Sequence, residues 1–166
     1  MKKIIILLVL ALGLTLPPGN IAEGYSKYEM SGNAPQKLLE SNPLDRDYQR
    51  DIRKPENGFT HGMARVEEKY IKLWDRELND IYQKLLLKLN DEEKGLLVDS
   101  QVSWLQHHEK ERDFVGSAIR KEAGSYFIVE ERSAYRLRLR DRTLQLMVYY
   151  CRLGGEAEFE YKGDTE

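Results

Sequence analysis

Side chains that bind metals or move protons lie close together in one short run of this chain. His107, His108, Glu109 and Glu111 fall there, and residues three or four apart share one face of a helix. His107 or His108 could therefore chelate a metal ion together with Glu111. A di-iron bundle needs Glu-x-x-His on two helices, and a zinc protease needs His-Glu-x-x-His. Neither pattern is present here, so we predict no metal site and no cofactor, with His107 solvated and His108 satisfied at the edge of a core.

Nucleophilic catalysis finds no support in the sequence either. Four serines lie inside predicted helices, without a Gly-x-Ser-x-Gly elbow or a glycine-rich phosphate loop: Ser100, Ser103, Ser117 and Ser133. The single cysteine, Cys151, has no base partner beside it. We interpret Cys151 as a small buried hydrophobe, with an intermolecular cross-link as the alternative. The chain is therefore predicted not to be an enzyme.

Polar side chains also occur on the apolar faces of predicted helices, where an unpaired group would cost about 1–3 kcal/mol. They belong to a motif made of Asp75, Leu78, Asn79, Tyr82, Gln101, Trp104 and Arg142. We predict that Asp75 pairs with Arg142 and that Asn79 and Gln101 form a hydrogen bond between helices. Such a group would fix packing and register; lining a binding site is the alternative.

Three long helices must position this motif. Apolar residues recur every three or four positions from Thr60, a predicted N-cap, to Leu89, which is the pattern of an amphipathic helix. Asn90 and Asp91 supply a break and a new N-cap for a second helix over residues 91–123. A third helix is predicted over residues 125–153, and Gly154-Gly155 ends it. Short connections between long helices predict an all-α fold, an antiparallel bundle of three helices.

The two ends of the chain differ from this helical part. Residues 1–22 have two lysines, an apolar run and a double proline, which is the layout of a signal peptide for export. The run is too short to span a membrane. Residues 23–58 are polar and contain Pro35, Pro43 and Pro55, so we predict that most of this stretch is a weakly ordered arm, with short helical turns over residues 36–41 and 44–53 as the exceptions. Residues 156–166 hold five acids and one lysine, which predicts a solvated acidic tail.

The net charge of the chain indicates which classes of partner it can bind. Removal of residues 1–22 would take away two lysines and no acid, and would move the formal net charge from −2 to −4. An acidic protein is not expected to bind nucleic acid, because the phosphate backbone is bound by clusters of Lys and Arg side chains. Five arginines of the third helix are interleaved with acids and leucines, which indicates surface salt bridges: Arg132, Arg136, Arg138, Arg140 and Arg142. We predict a protein partner, no nucleic acid and no membrane span.

The motif resembles the small exported domain of the LprI-type lysozyme inhibitors. The resemblance rests on Leu78-Asn79-x-x-Tyr82 followed by Gln101-x-x-Trp104, together with the rest of the motif, and covers residues 60–146. Cysteines clamp the helices in that family. The corresponding places here hold Val66, Arg112 and Tyr135 or a near neighbour, so the chain resembles a cysteine-poor variant. Residues 59–155 would form the LprI-like domain.

The resemblance implies an exported, non-enzymatic binding protein that blocks a basic glycan hydrolase, with lysozyme as the candidate partner. The arm and the acidic tail are the predicted binding surfaces, chosen on accessibility and charge. A different class stays open: a structural or adaptor module of the bacterial cell envelope that binds another protein through a helix face. The sequence does not decide the oligomeric state.

Overall fold

Four α-helices and a short 3-10 helix are described from end to end in the computed structural model, and residues 38 and 40 are also helical. It describes residues 38, 40–120 and 124–164, all within the unit Gly32–Glu166. The helices are α1 (Pro43–Ile52), the 3-10 helix (Pro55–Asn57), α2 (Thr60–Lys88), α3 (Asp91–Ala118) and α4 (Phe127–Arg152). The described residues contain no strand, which confirms the all-α class. The predicted signal peptide and residues 23–37 of the predicted arm lie outside the described residues.

The helix boundaries follow local capping chemistry. Asn90 caps α3 through a reciprocal capping box with Glu93, as the break at this position predicted. Gly154, at φ 74°, follows α4, and its N–H donates to the Cys151 carbonyl at 3.0 Å. At the start of α2 the prediction is off by one residue, because Phe59 is the N-cap and Thr60 is the first helical residue. No described helix is both long and apolar enough to cross a membrane.

The structure corrects the prediction of a weakly ordered arm over its described part. The Asn42 side chain accepts the backbone N–H groups of Leu44 and Asp45 at 3.1 Å, and Pro43 occupies the first turn of α1. Leu44 is fully buried. The 3-10 helix then lies so close to α2 that a Cβ on Gly62 would stand 2.5 Å from the Asn57 Cα. The prolines and polar residues indicated disorder here, but Pro43 and Asn42 begin a helix that packs on the domain.

The core forms chiefly between α2 and α4, which run in the same direction. Near their starts, Arg132 Nη1 donates to the Ala64 carbonyl at 2.8 Å; near their ends, the Lys88 ammonium lies 5.7 Å from the centre of the Tyr150 ring. The buried side chains of the two helices form one hydrophobic cluster, whose largest members are Tyr70, Trp74, Ile81, Leu85, Leu139, Leu146 and Met147.

The second helix of the predicted bundle contributes less than expected. α3 has no buried residue, although Trp104 and Leu97 pack partly against the core. Ile119 is nearly half exposed, and α3 ends at Ala118 rather than near residue 123. The described residues form four α-helices, and α3 is less buried than α2 and α4. The antiparallel three-helix bundle stays a prediction.

The C-terminal segment packs on the domain, so the prediction of a solvated tail is wrong over residues 156–164. Phe159 is buried, and its ring meets Trp74 edge-on at 6.0 Å between centroids. Tyr161 packs beside the same cluster. The acids that suggested solvation alternate with these aromatic residues, so that Glu156, Glu158 and Glu160 remain near the surface while Phe159 faces inward.

Candidate functional site

A buried ion pair joins α2 to α4 and docks α1 on both. Arg136 Nε donates to Glu67 Oε2 at 2.7 Å, and both side chains are almost completely buried. The Tyr48 hydroxyl of α1 donates to the other Glu67 oxygen at 2.6 Å, and its ring lies 3.8 Å from the guanidinium carbon of Arg136. Both oxygens of the buried carboxylate are thereby satisfied. The sequence analysis missed this group.

Asp51 anchors the end of α1 to α2. Its Oδ2 accepts hydrogen bonds from the Lys69 ammonium at 2.8 Å and the Tyr70 hydroxyl at 3.0 Å, while Lys54 lies 2.9 Å from Oδ1. Burial opposes ionisation of Asp51, but the hydrogen bonds from Lys69, Lys54 and Tyr70 outweigh it and lower the pKa of this carboxyl. The anchor therefore consists of an ionised carboxylate with several donors.

Glu77 holds the C-terminal segment in place. Its carboxylate accepts the backbone N–H of Tyr161 at 2.7 Å and that of Glu160 at 3.0 Å. Burial raises the pKa of Glu77, and the two backbone donors work against this rise. Glu67 and Glu77 both lie on the apolar stripe of α2, three residues from Tyr70 and Trp74 respectively. An acid at a stripe position was the sequence signal that could have revealed both.

The predicted motif separates into two parts in the structure. On α2, Leu78 is buried and Tyr82 half-buried, but Asp75 and Asn79 are exposed. The Asn79 side chain donates to the Asp75 carbonyl of its own helix at 2.8 Å instead of reaching another helix. The predicted Asp75–Arg142 and Asn79–Gln101 contacts are therefore wrong. Both polar residues lie on the outer side of α2, away from the stripe.

Arg142 connects α3 to α4. Its guanidinium donates to Gln101 Oε1 at 3.0 Å and Ser100 Oγ at 3.0 Å on α3, and to Gln145 Oε1 on its own helix at 2.7 Å. Gln101 and Arg142 thus meet, although the sequence assigned them other partners. Trp104 is half-buried one turn further along α3. These three motif residues attach α3 to the core.

His108 differs from the predicted satisfied histidine. Neither ring nitrogen has a hydrogen-bond partner, and the ring meets Trp104 edge-on at 4.1 Å between centroids. Burial lowers the pKa of His108 to about 4, with a further contribution from the charges of Arg138, His107 and Arg142. Among the described residues, no three His, Cys, Asp or Glu side chains group as metal ligands. His108 is therefore a neutral imidazole whose ring packs against Trp104.

A groove between α3 and α4 opens beside His108. We call it the Trp104 groove; its volume is about 580 Å³. Apolar and aromatic residues form much of its lining: Trp104, Leu105, Val115, Phe127, Ile128 and Tyr135. Charged residues that also line it include Glu109, Glu131, Arg112 and Arg138. Aromatic side chains with arginine are typical of protein-binding surfaces.

A second exposed surface lies where α2 passes into α3. We call residues 87–96 the hairpin tip. Leu87 and Leu96 expose 87% and 67% of their surface, and the Asp91 side chain between them is fully exposed. Glu92 is also exposed, while Lys94 lies 3.1 Å from Asp91. Leu87 and Leu96 are thus exposed apolar side chains that flank exposed carboxylates in the sequence.

Comparison with protein families identifies the domain that carries these surfaces. The family model described as Lysozyme inhibitor LprI matches residues 53–146. The chain belongs to this LprI family. The resemblance drawn from the sequence is thereby confirmed, and the LprI match contains every residue of the predicted motif. Comparison with curated proteins and with solved structures gives no match.

No disulfide joins the helices within the matched residues. Residues 53–146 contain no cysteine, and Cys151 lies beyond them as a free, half-buried thiol. The contacts that join its helices are the Glu67–Arg136 pair and the hydrogen bonds of Arg142. The role of the predicted motif in binding stays a prediction.

Proposed function

We propose that this protein is an exported, non-enzymatic inhibitor that binds a basic glycan hydrolase of the lysozyme type and occludes its cleft. The observation that carries the proposal is the LprI family match over residues 53–146. The hairpin tip supplies a surface suited to the task. Its exposed leucines can enter a cleft, and its carboxylates complement a basic partner.

We infer a binding surface other than the acidic tail, because the described part of the tail is packed on the domain. Glu77 and Trp74 hold the tail against the domain, and Glu160 is engaged by Lys84 at 2.8 Å. At the hairpin tip, by contrast, Leu87 and Leu96 are exposed, and no tertiary packing must be broken to bind through them. Exposed apolar residues framed by charge resemble the centre and rim of a protein interface.

Titration of lysozyme with the purified mature protein tests the inhibition. We expect hydrolysis of cell-wall substrate to fall in proportion to added protein and to stop near equimolar amounts. Unchanged hydrolysis at excess protein would end the proposal.

Two variants locate the surface. Leu87→Ser and Leu96→Ser should each weaken inhibition by on the order of tenfold, because central apolar contacts dominate protein interfaces. Leu137→Ser is the matched control, since Leu137 is an exposed leucine on α4. Equal inhibition by all three variants would remove the hairpin tip as the binding surface.

Export is part of the same proposal, supported by the basic and apolar layout of residues 1–22. Fractionation of cells should find the protein outside the cytoplasm, with an N-terminus near residue 23. A full-length protein retained in the cytoplasm would contradict export.

The Trp104 groove favours a second candidate function, an adaptor module of the cell envelope. Its aromatic lining would bind a segment of another envelope protein. Capture of such a protein that persists at high salt and is lost in Tyr135→Ser, without any effect on lysozyme, would favour this function over inhibition.

A further inference from the structure

A second cavity, separate in its chemistry from the hairpin tip, lies where α2 and α4 begin. Its volume is about 710 Å³, within the usual size of a small-molecule site. Phe59, Phe127 and Ile128 form an apolar part of its lining. The polar lining consists of Thr60, His61, Arg65, Arg120, Ser125 and Arg132.

The charge of this cavity is one-sided. Three arginines line it, and the described lining residues include no carboxylate. Arg65 and Arg120 are exposed and make no hydrogen bond or ion pair with any other described residue. Arg65 and Arg120 therefore lack a carboxylate partner among the described residues, and an anion bound among the arginines would relieve the repulsion between like charges.

The Arg132 side chain is held in place in the lining of the cavity. Its Nη1 donates to the Ala64 carbonyl at 2.8 Å, which holds the guanidinium at the junction of α2 and α4. Glu68 Oε2 lies 3.5 Å from the same nitrogen and neutralises this arginine only in part. The N-caps of α2 and α4, Phe59 and Tyr126, offer no side-chain cap, so the positive ends of both helices add to the field.

From this arrangement we propose that the cavity binds a small organic anion, with a phosphate or carboxylate held by Arg65, Arg120 and Arg132. The planar guanidinium fork matches both anions through paired hydrogen bonds. The aromatic rings of Phe59 and Phe127 hold an apolar group attached to the anion. The site is independent of lysozyme binding, which we assign to the hairpin tip.

Calorimetric titration of the full-length mature protein with phenyl phosphate, benzoate and benzyl alcohol tests the site. We expect saturable binding of phenyl phosphate or benzoate in the millimolar range or tighter, and none of neutral benzyl alcohol. Which of the two anions binds more tightly identifies the anionic group. Inorganic phosphate should bind on the order of tenfold more weakly than phenyl phosphate, because it lacks the apolar group.

Arg65→Ala should weaken the binding on the order of tenfold, since it removes charge-assisted hydrogen bonds. Arg76→Ala is the matched control: Arg76 is also an exposed arginine of α2 but does not line the cavity. Both variants should keep the melting temperature of the parent. The proposal is overturned if neither aromatic anion binds saturably, if Arg65→Ala and Arg76→Ala bind alike, or if inorganic phosphate binds as tightly as phenyl phosphate.

Discussion

The α2–α4 pair and α3 make opposite use of their side chains. The pair buries Tyr70, Trp74 and the Glu67–Arg136 ion pair, and it receives α1 and the C-terminal segment on its surface. α3 has 28 residues and buries none of them, although it carries Trp104. Stability therefore resides in α2 and α4, whereas α3 offers exposed surface. Regions with few buried contacts open at lower free-energy cost than a packed core.

Substitution of the two tryptophans should give the largest difference in the free energy of unfolding between the two regions. Trp74→Ala should lower the free energy of unfolding by about 3–5 kcal/mol, because it empties a fully buried site. Trp104→Ala should cost about 1–2 kcal/mol, since its ring is only half-buried and the groove beside it is open. Chemical denaturation monitored by circular dichroism measures both. Equal losses would contradict the division between α2–α4 and α3.

Glu77→Ala tests whether a buried acid holds the C-terminal segment. We expect a loss of about 2–3 kcal/mol, because two backbone N–H groups lose a charged acceptor. Limited proteolysis should then remove residues after α4 faster than in the parent. Glu158→Ala serves as the control, because its side chain is 77% exposed. Unchanged protection of the segment in Glu77→Ala would show that Phe159 alone secures it.

Amide hydrogen exchange compares the local stability of α2 and α3 in the protein without any substitution. Amides in the middle of α3 should exchange on the order of tenfold faster than those in the middle of α2, because local opening of α3 exposes less apolar surface. Mass spectrometry of peptides from both helices measures the difference. Equal protection would mean that α3 unfolds only together with the core.

The smallest expected effect is the change in stability with pH that the His108 side chain causes. Its pKa is about 4 in the folded protein and about 6.5 when unfolded, so the unfolded chain binds the proton more readily between these values. The contribution of His108 to stability is therefore complete above pH 6.5 and is lost as pH falls toward 4. His108→Phe should flatten this part of the stability profile in urea melts. Identical stability profiles for His108→Phe and the parent would refute the assignment.

Several features were predictable because short-range rules govern them. The Asn90–Glu93 capping box and the glycines after α4 depend on residues within a few positions of each other. The stripe of α2 follows from its helical period, and the LprI motif was sufficient to recognise the family. The partners of Arg142 were not predictable, because a stripe shows which face is buried and not which side chains meet across it.

The sequence by itself determined to within two residues where the long helices begin, that the class is all-α, and to which family the chain belongs. Only the tertiary structure decided that Glu67 and Glu77 are buried, that α1 and the C-terminal segment pack, and that α3 stays near the surface. Burial of an acid is tolerable only when a donor arrives to satisfy it. The donors for Glu67 and Glu77 come from residues 19 to 84 positions away, a distance over which no local pattern operates.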